Sequence, residues 1–177
     1  SKKVYTDYLL WQCYEGLFTP FKNCYAGNGQ FETLSDIMHS EEGWDSMGRF
    51  HYTGVLSASN ANPGWLVARA AYITSGGMEN MSNTAFRCIW TGIRDCCLLL
   101  DNVDRVPDMT DAEKARYKAE AKVIMASKYF DGIHNFGGLP IVDHALAADE
   151  VLVKPRSTIE ETVTFVVRLL DEAIAEP

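Results

Sequence analysis

The sequence predicts a mainly α-helical protein built from tetratricopeptide-like antiparallel helix pairs, with long irregular loops and little β-structure. Three observations predict it. Apolar residues recur at three-and-four spacing in several long stretches, the signature of helices with one buried face. Ser/Thr-x-x-Glu frames stand at the start of two of these stretches, as capping boxes do. Only a short stretch around Pro107 to Met109 separates two of the patterns, which makes them an antiparallel hairpin. Helix pairs of this kind bury each other's faces when stacked. The strict consensus of the thirty-four-residue repeat is absent, so the likeness is one of architecture.

Four helices follow in order. The first runs from about Lys3 to Phe21. It is rich in aromatics (Tyr5, Tyr8, Trp11, Tyr14, Phe18, Phe21), with Leu9, Cys13 and Leu17 at four-residue steps, and Pro20 and Asn23 mark its end. Trp11 and Trp90 lie in helical patterns and read as core. The second helix covers about Asn83 to Val106. Ala85, Phe86, Ile89, Trp90, Ile93, Cys96, Cys97, Leu100 and Val103 form its buried face, and Pro107 closes it.

The third helix opens on a capping box of Thr110 with Glu113 and reaches about Asn135. Its first half is charged. Its second half is apolar on most sides and reads as packed all round. Gly137-Gly138 and Pro140 stop it, because glycine costs backbone entropy and proline lacks the N–H. The fourth helix opens on a capping box of Ser157 with Glu160. Ile159, Val163, Val166, Val167, Leu170 and Ile174 form its apolar stripe. The connection before it, Gly137 to Arg156, carries strand-like pieces at Leu139–Val142 and Val151–Val153.

The region from Cys24 to Met81 differs. It holds most of the glycines, many Asn and Ser residues, and Trp44 and Trp65, without a sustained helical period. It reads as a long loop-rich segment inside one domain spanning residues 1–177, with short helical turns near Leu34–His39 and Trp65–Thr74.

Composition narrows the function. A chain of 177 residues fits one domain or a piece of a larger one. The net charge of −8, with no basic cluster, argues against nucleic acid and against anionic lipid heads. No apolar run is long enough to span a membrane as a helix. SKKVYTDYLL is no signal peptide and there is no start methionine, so the chain reads as a mature or trimmed form. The five cysteines (Cys13, Cys24, Cys88, Cys96, Cys97) lack zinc spacing and read as small buried hydrophobes; a bridge from Cys13 or Cys24 stays open.

At four places the chain resembles a known family. Trp90, Ile93, Cys97, Leu100 and Val103 are similar to a helix of the SusD/RagB-like outer-membrane nutrient-binding lipoproteins. Glu120-Ala121-Lys122 through Tyr129-Phe130 is similar to the next. Asn135-Phe136-Gly137-Gly138-Leu139-Pro140 follows as in the family. Arg156-Ser157 with Leu169-Leu170-Asp171-Glu172-Ala173-Ile174 completes the order. The match is good from about Phe86 to Pro177, weaker at Tyr14-Glu15-Gly16-Leu17, and weakest from Cys24 to Met81. Met125 stands where the family has Arg, and Cys97 where it has Asn.

The resemblance implies the N-terminal portion of a surface-exposed, lipid-anchored outer-membrane protein. Such a protein captures a glycan, or in some branches a peptide, and passes it to a SusC-like TonB-dependent transporter. It performs no covalent chemistry and uses no cofactor. The lipidated cysteine would lie upstream of Ser1.

Glycan recognition needs aromatic platforms and planar polar groups. In NANPGW, Asn60, Asn62 and Trp65 have that composition; Trp44 and Arg49, beside Asp45, are the second choice. The alternative is a turn at Asn62-Pro63-Gly64 with Trp65, like Trp44, in the core. His39, Glu41, Glu42, Asp45 and His51 match no metal template, and His134 reads as a hydrogen-bonded packing residue. Gly76-Gly77 and Gly137-Gly138 lack phosphate-loop spacing, and Asp101, Asn102 and Asp104 lack the Gly and terminal Glu of a calcium loop. Two rival functions remain at this level. One is a helical-repeat interaction scaffold without a small-molecule ligand. The other is an enzyme using the His39–His51 segment.

Overall fold

A computed structural model describes residues 2–15, 17, 89–151 and 154–176. By its internal contacts the chain divides into two units, and these residues belong to the one formed by Ser1–Leu17 with Ile89–Pro177. The segment expected to be loop-rich, 24–81, lies outside the described residues.

The described elements are α1 (Lys2–Glu15), α2 (Ile89–Asn102), a 3₁₀ turn (Val103–Arg105), α3 (Asp111–Phe136), the short α4 (Ala148–Val151) and α5 (Ile159–Ala175). No strand occurs among them. The protein is mainly α, as the periodicity predicts.

The α2–α3 hairpin is antiparallel. Trp90 at the start of α2 meets Tyr129 near the end of α3 edge-on, with ring centroids 6.4 Å apart. At the other end, Lys118 pairs with Asp104 at 2.7 Å and Lys114 donates to the Asp104 carbonyl at 3.2 Å. Val106 and Met109 are buried beneath the connection. The predicted capping box is present: Thr110 Oγ1 accepts from the Glu113 N–H, and the Glu113 carboxylate accepts from the Thr110 N–H at 2.9 Å. Glu113 also pairs with Lys3 on α1, and that ammonium with the two Thr110 bonds holds its carboxyl at about 2.

Helix α1 runs parallel to α3 and antiparallel to α2. Lys3 meets Glu113, Asp7 meets Tyr117 and Tyr14 meets Glu120. Cys13, Cys96 and Cys97 are buried free thiols, as their reading as small hydrophobes predicts. Gly92 makes room in this core, since a Cβ there would fall 2.2 Å from Cε of the buried Lys128. Burial pushes the Lys128 ammonium below its ordinary value.

After α3 the chain reverses at Gly137, whose φ of +76° suits glycine and whose N–H bonds the Ile133 carbonyl at 2.9 Å. The return is held by side chains from both flanking helices. Tyr129 Oη accepts from the Val142 N–H at 2.7 Å and donates to the Pro140 carbonyl at 3.0 Å. Thr162 Oγ1 accepts from the Leu139 N–H at 3.1 Å. Arg156 donates to the Gly138 carbonyl at 2.9 Å and to the Phe136 carbonyl. Helix α5 then packs antiparallel to α3, with Phe165 on Tyr129 at 5.1 Å and Lys122 on Glu176 at 2.9 Å.

Several expectations need correction. The cap of α5 is Thr158 with Glu161, one residue beyond the Ser157–Glu160 frame. Its buried face is Thr162, Phe165 and Leu169, with Val166 half-buried, while Ile159, Val163, Val167, Leu170 and Ile174 are exposed. Leu139–Val142 forms no strand; the Leu139 and Val142 amides bond to the Thr162 and Tyr129 hydroxyls instead. Val151 ends the helical turn α4, and Leu152 and Val153 lie outside the described residues. The second half of α3 is not covered all round: Val123, Phe130 and Phe136 are exposed, and so is His134.

Candidate functional site

The loop residues expected to bind ligand, Asn60, Asn62, Trp65, Trp44 and Arg49, lie outside the described residues, as does the acidic segment His39–His51. Among the described residues, a cleft of about 430 Å³ between α1 and α3 gathers the chemistry expected of such a site. Small-ligand sites fall in this size range.

The α1 wall presents Asp7, Leu10, Trp11 and Tyr14. Their i, i+3, i+4, i+7 spacing places all four on one helical face. The α3 wall presents Arg116, Tyr117 and Glu120, again one face. Leu10 and Tyr117 are buried and form the floor. Trp11 is 68% exposed and Tyr14 40%, with ring centroids 6.4 Å apart and planes inclined at 52°. The two rings thus make an open, angled platform. This corrects the reading of Trp11 as core; Trp90 is half-buried against Tyr129.

Internal bonds fix the polar groups. Tyr14 Oη donates to Glu120 Oε2 at 2.8 Å, and Arg116 Nε donates to Glu120 Oε1 at 3.2 Å. Tyr117 Oη donates to Asp7 Oδ1. The Arg116 guanidinium lies 5.2 Å from the centre of the Tyr117 ring. Partial burial, with the Glu120 carboxylate beside Tyr14 and Asp7 beside Tyr117, raises both phenols, so each stays a neutral donor at physiological pH. Two carboxylates against one guanidinium leave the cleft with a net negative charge.

This arrangement can stack a flat apolar face and hydrogen-bond hydroxyl groups. Sequence reasoning missed it because its walls lie about a hundred residues apart in the chain. The signal within reach was the side of α1 opposite Leu9 and Cys13, where Trp11 stands. No group of three or more His, Cys, Asp or Glu among the described residues is placed to hold a metal. No helix among them is long and apolar enough to cross a membrane.

No family model matches the chain, and no curated protein matches its sequence. A solved structure does match in fold. The chain superposes on a SusD-like protein from Bacteroides fragilis NCTC 9343 with a TM-score of 0.64, at 16% identity and over 97% of its length. It spans 29% of that longer protein. The helical architecture is therefore that of a SusD-like protein, as the resemblance in the sequence predicts.

Proposed function

We propose that this chain belongs to a surface glycan-binding protein that delivers nutrient to a SusC-like TonB-dependent transporter. One observation carries the reading: the chain superposes on a SusD-like fold over 97% of its length. The four sequence motifs occur in that family's order. The reading involves capture without covalent chemistry, with no cofactor. It places the protein at the outer membrane, exposed at the surface and held by a lipid anchor outside this sequence.

In this reading the loop residues Trp65, Asn62 and Asn60, with Trp44 and Arg49, contact the sugar. Trp65 supplies a stacking face and the amides bond hydroxyl pairs. The test is calorimetric titration of the chain with soluble polysaccharides, beside a Trp65→Ala variant. Binding that the variant weakens at least tenfold supports the reading. If a panel of polysaccharides gives no heat and no retardation in affinity gels, the glycan reading fails for this chain.

A further inference from the structure

We propose that the cleft between α1 and α3, with Trp11 and Tyr14 as its platform, is a saccharide subsite built from residues other than the expected loop residues, selective for neutral sugars. The inference rests on the glycan-binding reading and adds to it a place and a ligand class.

Three features carry it. Trp11 is a large aromatic exposed over two thirds of its surface, set at an angle to the exposed ring of Tyr14. Exposed rings beside a cleft offer flat faces to the C–H face of a pyranose, and the angle lets two rings touch a bent chain. The polar rim comes next. Glu120 is held through both oxygens, by Tyr14 and Arg116, and Asp7 through one, by Tyr117. These groups are positioned before any ligand arrives, which lowers the entropic cost of binding. The second oxygen of Asp7 has no partner among the described residues and can accept from a sugar hydroxyl. The Arg116 side chain is 65% exposed and can donate to one.

Charge selects the class. Asp7 and Glu120 outweigh Arg116, and the ion pair of Lys3 with Glu113 one turn away adds no net charge. A uronate or sulfated polymer meets repulsion here, strengthened by the chain's net charge of −8. A neutral oligosaccharide meets none. A protein partner is the competing occupant of an exposed aromatic face. The fixed carboxylates and guanidinium beside the rings favour the sugar, because the core of a protein interface is depleted in charge.

The experiment titrates the whole chain with soluble starch, barley β-glucan, galactomannan and polygalacturonate, by calorimetry and affinity electrophoresis. Trp11→Ala, Arg116→Ala and Trp65→Ala are run in parallel. Trp11 and Arg116 are exposed, so circular dichroism should show the fold intact in both variants. The expected result is binding of at least one neutral polymer, weakened about tenfold or more in Trp11→Ala and in Arg116→Ala, which is about 1.4 kcal/mol. Polygalacturonate should bind more weakly than the neutral ligand. Full affinity in Trp11→Ala with loss only in Trp65→Ala overturns the subsite, leaves the glycan reading standing, and turns the α1 face into a candidate protein contact. Preference for polygalacturonate overturns the neutral class. Silence with every polymer overturns the subsite together with the function it rests on.

Discussion

Tyr129 serves four neighbours at once. Its ring packs between Trp90 and Phe165, and its hydroxyl bridges the Val142 amide and the Pro140 carbonyl. Burial pushes its phenol well above the ordinary value, so it remains a donor. Tyr129→Phe keeps the ring contacts and leaves the buried Val142 N–H without its acceptor. The expected loss is about 1–3 kcal/mol in urea unfolding, the cost of an orphaned buried donor. An unchanged midpoint would mean that water replaces the hydroxyl. Tyr129 and Phe130 stand side by side in the apolar second half of α3, yet Tyr129 is fully buried and Phe130 is 65% exposed. Consecutive helical residues point about 100° apart, and hydrophobicity alone does not say which of the two faces inward. At Trp11 the same geometry was available and would have helped. Trp11 stands two residues from both Leu9 and Cys13, so it lies across the helix from that line.

Helix starts were legible where a single frame existed. Thr110 with Glu113 is the only Ser/Thr-x-x-Glu frame before α3, and it caps as expected. Before α5 two frames overlap, Ser157 with Glu160 and Thr158 with Glu161. Tertiary contact decides between them. The Ser157 N–H bonds the Leu139 carbonyl at 3.3 Å, and the Ser157 backbone lies against Gly138. The helix therefore begins one residue later, with Thr158 Oγ1 accepting from the Glu161 N–H at 3.1 Å. Thr162 then turns inward, where its hydroxyl bonds both Leu139 and the Thr158 carbonyl. A polar residue at the centre of the buried face is what a hydrophobic-stripe reading misses. Thr158→Ala should cost about 1 kcal/mol, the usual worth of an N-cap. Ser157→Ala should fall within about 0.5 kcal/mol of the parent, as its side chain caps nothing. Chemical denaturation of the two variants checks the assignment, and the reverse order of effects would restore the earlier frame.

Across the molecule, what was legible is what local signals specify: the helix order, the α2–α3 hairpin and the stop after α3. The cleft between α1 and α3 was not legible, because no local pattern says that Asp7 meets Tyr117 or that Tyr14 meets Glu120. The paired glycines show how a local signal also carries long-range information. Both read as a helix stop, but they differ in role. Gly137 supplies the left-handed backbone of the turn, and a Cβ there would meet side-chain atoms alone, those of Ile159 at 3.4 Å and the Arg156 guanidinium at 4.0 Å. Gly138 supplies room: a Cβ there would fall 2.0 Å from the Ser157 carbonyl oxygen and 2.6 Å from the Thr158 carbonyl carbon. Those atoms are backbone of the residues that start α5, so they cannot move without shifting that helix against α3. Gly137→Ala should cost about 1–3 kcal/mol through conformational strain alone. Gly138→Ala should cost about 3 kcal/mol or more by overpacking, lowering Tm by roughly 6–12 °C. Urea unfolding and calorimetry of the two variants separate the roles. Equal losses would reduce Gly138 to a turn residue, whereas a larger loss at Gly138 identifies the close crossing of the Gly137-Gly138 return with the start of α5 as the point on which the α3–α5 pairing depends.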